Sequence, residues 1–370
     1  VLHLPLIDEI VGDDVEDDSI FELEESYIRS SWKKTLIVLA LLAAVAVLAV
    51  AAITMGAASS FGTMEALGTI LSKFLPVEEP SSFVQLIVLQ LRLPRILMAI
   101  ITGISLGVAG AVMQGVLRNP LVSPYTLGLS SGAACGAAIA IVLGVGVFGQ
   151  GRYIIIVNAF IFSLLTMALV YGISRMRGTS VETLILAGVA MSYLFSAIIS
   201  SLKYFSDNEA LREVVFWLMG GLYATKWENV LLLAPIVLVL TLLLIRYSWD
   251  LNAMSAGEEV ASSLGINVKR VRIICLILAS VLTASVIAFT GIIGFIGLVS
   301  PHICRLLMGS DHRYLIPASG LAGALVLLIS DTACRTMVQP TEIPVGILTS
   351  FIGVPFFLYL LVKRKRRWWQ

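Results

Sequence analysis

The chain has 370 residues, of which 58% are hydrophobic and only 13% charged, with a formal net charge of +1. Soluble domains carry about a quarter charged residues, so this balance excludes an ordinary soluble protein and describes a chain solvated mainly by lipid. The net charge gives no sign of nucleic acid as a partner, and none is expected, because the basic residues sit at the ends of apolar runs rather than together on one face.

Residues 1–35 are acidic, lack the apolar core of a cleavable signal peptide, and are expected to form a disordered tail. Within them, Asp13-Asp14-Val15-Glu16-Asp17-Asp18 matches the Asp-Asp-x-x-Asp pattern that binds magnesium in membrane prenyltransferases. A catalytic carboxylate cluster should face a cavity, whereas this run precedes the first apolar segment and has no second copy, so it reads as a solvated tail.

The membrane domain is expected over residues 36–370. A first span covers about Leu36 to Ala58, anchored by Trp32, Lys33 and Lys34. After a polar segment containing Pro76, Glu78, Glu79 and Pro80, a second begins near Leu93. It carries Gly103, Gly107 and Gly110, a ridge of small residues that permits close helix approach. The third (about Pro124 to Gly146) and fourth (about Ile154 to Ile173) follow. The fifth, about Glu182 to Leu202, places Gly188, Ser192, Ser196 and Ser200 at intervals of four, a stripe suited either to a water-filled path or to helix packing. Val214 to Met219 is apolar but too short to span. The sixth covers about Val230 to Ile245, the seventh Ile273 to Phe289, the eighth Phe295 to Met308 with Pro301 inside it, the ninth Leu315 to Ala333 and the tenth Ile343 to Val362. The four cysteines, Cys135, Cys275, Cys304 and Cys334, are dispersed in these runs and read as small buried residues, not as a disulfide frame or metal site.

Ten spans put both termini on one side. Most of the 25 lysines and arginines fall on that side, so the positive-inside rule expects both termini in the cytoplasm. On the same side lies residues 249–272, WDLNAMSAGEEVASSLGINVKRVR. There Gly257 opens a short helical pattern with Val260, Ala261 and Leu264 on one face. Glu258 and Glu259 take the other, and Gly265 supplies a stop. Such a segment is either a docking helix or a solvated loop.

Three function classes fit a polytopic chain. An ion-coupled secondary transporter should carry ionisable residues mid-membrane, and the second, third and fifth spans have none. Asp331 lies four residues before Arg335 and is placed to pair with it. A membrane enzyme needs a polar catalytic cluster, and His302 stands alone at a span end. A permease driven from outside needs a docking surface, and the absence of any Gly-Lys dipeptide excludes a phosphate-binding P-loop in this chain.

Several passages bear on that choice: Arg92-Leu93-Pro94-Arg95 running on to GAVMQGVLRNPLVSPYTLGLSSGA (through Ala133), Leu186-Ala187-Gly188-Val189-Ala190, Ala256-Gly257-Glu258-Glu259-Val260-Ala261, and Gly294 to Arg305 followed by Glu342-Ile343-Pro344-Val345-Gly346. Through them the chain, from about Leu36 to Lys363, resembles the FecCD family of ABC-transporter permeases. The resemblance implies an all-α membrane protein of about ten transmembrane helices per subunit, a BtuC-like type II importer permease that is not itself an enzyme. It implies a homodimer in the cell membrane, with two cytoplasmic ABC ATPase subunits that carry ATP and magnesium, and an extracytoplasmic substrate-binding protein. The permease itself needs no cofactor. The substrate class is a metal chelate such as a ferric siderophore, haem or cobalamin. Gly257, Glu258, Glu259, Ala261, Leu264 and Gly265 would couple to the ATPase, and either glutamate could make the contact. Arg92, Arg95 and Arg335 would receive acidic residues of the binding protein. The fifth and tenth spans and the short piece after the fifth would line the path.

Overall fold

The computed structural model describes residues 17–56, 62–72, 81–146, 151–176, 180–339 and 341–363; the acidic run at 13–16, the polar segment at 76–80 and the basic tail beyond 363 lie outside them. Among the described residues the chain is helical throughout, without a strand. Among the described residues seven helices are long and apolar enough to cross a membrane, and three shorter apolar ones (Leu129–Leu143, Ile296–Met308 and Val345–Tyr359) bring the number to the ten expected spans.

Helix α1 (Asp17–Thr54) starts far earlier than the expected first span. Neither glycine nor proline interrupts its 38 residues, so the helix continues outward from the apolar run into sequence expected to be a loose tail. Next come α2 (Thr63–Leu71) and α3 (Ser82–Gln85), which leads through a π-helical segment, Leu86–Arg92, into α4 (Leu93–Val116). Pro94 in the first turn of α4 cannot donate to the preceding turn, and widening that turn absorbs the mismatch. As a result Arg92 and Arg95, three residues apart, both turn inward and are buried.

The chain continues through α5 (Leu129–Leu143), α6 (Arg152–Met176), α7 (Val181–Phe205), the short α8 (Asn208–Met219) and α9 (Trp227–Arg246). Two short helices, α10 (Ser248–Ala256) and α11 (Glu258–Ser263), precede α12 (Val268–Thr290). The last are α13 (Ile296–Met308), α14 (His312–Thr336) and α15 (Val345–Lys363).

The core is α4 and α14, the most extensively packed pair, with α12 beside them. The membrane-crossing window of α4 is 83% buried within the chain and that of α14 is 72%, against 17% for α1 and 22% for α9. Glycine explains the closeness. A Cβ on Gly103 would collide with the backbone of Ala324, one on Gly107 with Ser319, and one on Gly110 with Gly297. The ridge expected from sequence is therefore a contact surface against α14 and the start of α13.

Helices α5 and α13 are short because irregular backbone precedes each. These two stretches meet deep in the bundle: Tyr125 donates its hydroxyl to the Ile293 carbonyl, and Pro124 lies beside Gly297. Non-helical backbone at this depth is tolerable only where protein satisfies its polar groups, and here each stretch serves the other. The four cysteines are free and buried.

Candidate functional site

Three places carry the chemistry. Below, the near face is the end of the bundle holding Tyr27, Lys34 and the start of α14, and the far face is the opposite end.

On the near face, α9 hands over to α10, which buries Leu251 and Met254. Gly257 then breaks the chain at φ 138°, a conformation that a side chain would strain, and α11 follows. Asn267 caps α12 by accepting from the Arg270 amide at 3.1 Å. The expected common face of Val260, Ala261 and Leu264 divides. Ala261 is fully buried, whereas Val260 is 45% and Leu264 67% exposed. Four residues apart, Val260 and Leu264 form one ridge, while Ala261 is turned by about 100° from Val260. Glu258 accepts from Arg272 Nη2, so it is engaged within the chain. Glu259 is exposed and has no side-chain hydrogen bond or ion pair to another described residue. Gly265 adopts φ 81° at the turn out of the segment.

A polar cluster secures the base of this segment. The Asn252 amide donates to Asp311 Oδ1 at 2.8 Å, and its oxygen accepts from the His312 backbone at 2.8 Å. Asp311 also accepts from Arg313 Nη2 at 2.6 Å, and Lys34 of α1 lies 3.8 Å away. Burial pushes the Asp311 carboxyl up, but hydrogen bonds from Arg313 and Asn252 outweigh that and hold it at about 2. Arg313 stacks on Trp249 at 4.3 Å and donates to the Tyr27 hydroxyl at 3.0 Å.

On the far face, Arg95 donates to Asp331 at 2.9 Å and to Glu342 at 2.7 Å. Arg335 Nε lies 3.1 Å from the other oxygen of Asp331, the pairing that their spacing implies. Arg335 also donates to the carbonyls of Met55 and Ala52, and Arg92 to that of Ile53. All three arginines are less than 10% exposed and Asp331 is fully buried. Within the single chain Arg92, Arg95 and Arg335, the residues expected to receive the binding protein, are engaged internally. Buried guanidinium groups need internal acceptors, and here Asp331, Glu342 and the end of α1 supply them.

The stripe on α7 divides as well. Gly188 is packed so closely on Thr126 and Leu127 that a Cβ there would collide, and Ser192 donates to the Gly188 carbonyl at 2.9 Å. Ser196 and Ser200 are exposed. A fourth residue in a helix is displaced by about 40°, so across three such steps the stripe winds from a packed face to an open one. Gly188 and Ser192 lie on the packed part of the stripe.

The cavities lie elsewhere. A far-face cleft of about 500 Å³ is bounded by Arg95, Glu209, Arg212, Glu213 and Glu342. A second, of about 600 Å³, has largely apolar walls that include Met219, Ile292, Gly294, Ile347, Ser350 and Phe351. The meeting of Gly220, Gly291 and Gly346 falls between the residues of the two. There the backbones of α8, α12 and α15 touch, and Gly221 donates to the Thr290 carbonyl at 2.8 Å. In the sequence each glycine shows as a helix breaker; nothing local reveals that the three converge. The walls of the second cleft come from α15, the short α8 and the turn before α13.

An all-helical bundle with broken helices at its centre, a short helix with an exposed apolar ridge at one end and a cleft beside its last span has the form of an ABC-transporter permease. The sequence signature of the FecCD transport family matches residues 35–363, and the chain belongs to that family. It is 46% identical to MJ0087 of Methanocaldococcus jannaschii, named for an ABC transporter permease, over 77% of this chain and 84% of the relative. It is 39% identical to the hemin transport permease HmuU of Yersinia pestis, over 57% of this chain and 63% of the relative. Other relatives are named for cobalamin, ferric citrate and molybdate import. The fold is similar to a solved inward-facing ABC transporter of the metal-chelate type, with a TM-score of 0.77 and 35% identity, covering 89% of this chain and all of that one.

Proposed function

We propose that the near face is cytoplasmic and that two copies of this permease form a homodimer driven by ATP hydrolysis on two separate subunits. An extracytoplasmic binding protein delivers a metal chelate to the far face. The observation that carries this reading is α11. It presents an exposed apolar ridge, Val260 and Leu264, beside the outward Glu259, on a base held by buried contacts. An apolar ridge on a short helix between two spans marks a docking surface.

The basic residues support the orientation. Lys33, Lys34, Arg246, Lys269, Arg270, Arg272 and Arg313 cluster at this end, as cytoplasmic loops require. On the far face the ionic cluster holds the ends of α1, α4 and α14 together, so the binding protein meets a preformed surface rather than free arginines. The apolar cleft suits a bulky chelate passed along with little tight binding. Relatives named for hemin, cobalamin and iron(3+)-hydroxamate transport support a cargo drawn from ferric siderophores, haem and cobalamin. ATP and magnesium belong to the partner ATPase.

The test is uptake into sealed vesicles holding the permease and its ATPase, with loaded binding protein on the outer side. Uptake should require ATP and survive a protonophore. ATP-independent uptake that a protonophore abolishes would replace this reading with an ion-coupled one.

A further inference from the structure

Among the described residues, Asn252 makes the side-chain hydrogen bonds that tie α10 to the body of the bundle, beside the stacking of Trp249 on Arg313 and the burial of Leu251 and Met254, and its partners lie at one point. Its amide donates to Asp311, which caps α14 by accepting from the Arg313 amide at 3.1 Å. Its oxygen accepts from the His312 amide and lies 2.9 Å from His312 Nδ1. His312 is 1% exposed, and its ring fills the space that a side chain on Gly115 would need. One asparagine on the arm of the docking helix thus grips the first turn of α14, and through His312 the last turn of α4.

From that point the bundle is stiff. The backbones of α4 and α14 touch at Gly103 and Gly107, leaving no side-chain layer to shear. Helix α14 has 25 residues, hence a length of about 38 Å, and ends in Asp331 and Arg335. Asp331, which also pairs with Arg335, is tied to Arg95 of α4 and, through it, to Glu342 at the edge of the far-face cleft.

We propose that Asn252 is a positioning residue for coupling: it makes α10 and the α4–α14 pair move as one body. A displacement of the docking helix is then delivered to the far-face cleft as a rigid-body shift. This rests on the reading of α10–α11 as the ATPase docking segment. Without the asparagine the arm still presents Val260, Leu264 and Glu259 and keeps its apolar contacts and the Trp249–Arg313 stacking, but it loses the directional hydrogen bonds to the first turn of α14 and can rock against that turn.

The experiment uses the reconstituted permease–ATPase complex with Asn252→Ala. Three quantities are measured: ATPase affinity, stimulation of hydrolysis by loaded binding protein, and substrate imported per ATP. Affinity should stay within about twofold of wild type, while stimulation and import per ATP should each fall by about tenfold, within the usual range of a coupling free energy. Asp311→Asn keeps an oxygen to cap α14 and accept from Asn252, and should retain most of the stimulation. If Asn252→Ala does not fold, Asn252→Ser, which retains a hydroxyl acceptor, gives the same readouts. Unchanged stimulation and import, or a loss confined to ATPase affinity, overturns the proposal. A wild-type complex with no ATP-dependent import overturns the underlying reading, a result separable from failure of the variant alone.

Discussion

Asp331 sits between two guanidinium groups with no exposure to solvent, and its removal is therefore costly in a definite way. Asp331→Asn would leave Arg335 buried without a counter-charge and Arg95 with only the half-exposed Glu342, a loss of about 3–5 kcal/mol by comparison with other buried pairs broken on one side. Glu342, whose side chain is 44% exposed, should matter by less than about 1 kcal/mol when changed to Gln. Melting of the purified protein in detergent checks both, and equal effects would contradict the burial argument. The pairing of Asp331 with Arg335 is legible in the sequence, because four residues apart on a helix means contact. Arg95 is 236 residues from Asp331, and no local pattern joins them. Asp311 gives a pH dependence of known sign. Its folded value is held below the ordinary carboxylate range, so its stabilisation is complete above about pH 4 and is lost as pH falls toward 2. Asp311→Asn should remove that part of the acid transition, which a comparison of melting at pH 3 and pH 6 would detect.

At the scale of elements, periodicity was informative wherever a helix is long and misleading where it is short or slowly winding. The spans follow from apolar runs, and the glycine ridge of α4 was readable because its spacing keeps one face. The π-helical turn before α4 has no comparable signature beyond Arg-Leu-Pro-Arg. The short α11 is too brief for its pattern to say which residues point outward; burial of Ala261 settles that Val260 and Leu264 do. We expect Val260→Ala with Leu264→Ala to weaken ATPase binding by about tenfold, mainly through faster dissociation, as loss of an apolar anchor does. Glu259→Lys should act mainly on the association rate and more strongly at low salt, whereas Glu258→Lys also breaks the contact with Arg272. Binding kinetics at two salt concentrations separate these cases; salt-independent rates for Glu259→Lys would remove it from the interface.

For the molecule as a whole, the uncovered surface divides into a face suited to lipid and a face suited to the proposed second copy. The outer helices α1 and α9 expose Leu36, Leu39, Leu42, Leu231, Leu238 and Leu242, an unbroken apolar face appropriate to hydrocarbon. Helix α7 differs. Its exposed side mixes Leu186, Tyr193 and Leu194 with the hydroxyls of Ser196, Ser200 and Ser201. Exposed hydroxyls within a span fit a helix partner or a wet passage better than lipid tails, and the proposed homodimer provides both. The native cysteines make this testable, since all four are buried and should react little with a water-soluble thiol reagent while the protein is folded. In that background, cysteines introduced as Ser196→Cys and Ser200→Cys should be labelled by a small hydrophilic maleimide or cross-linked between two copies. Leu238→Cys on α9 should do neither. Labelling of Leu238→Cys with silence at both serine positions would place α7 against lipid and move the dimer contact to another face.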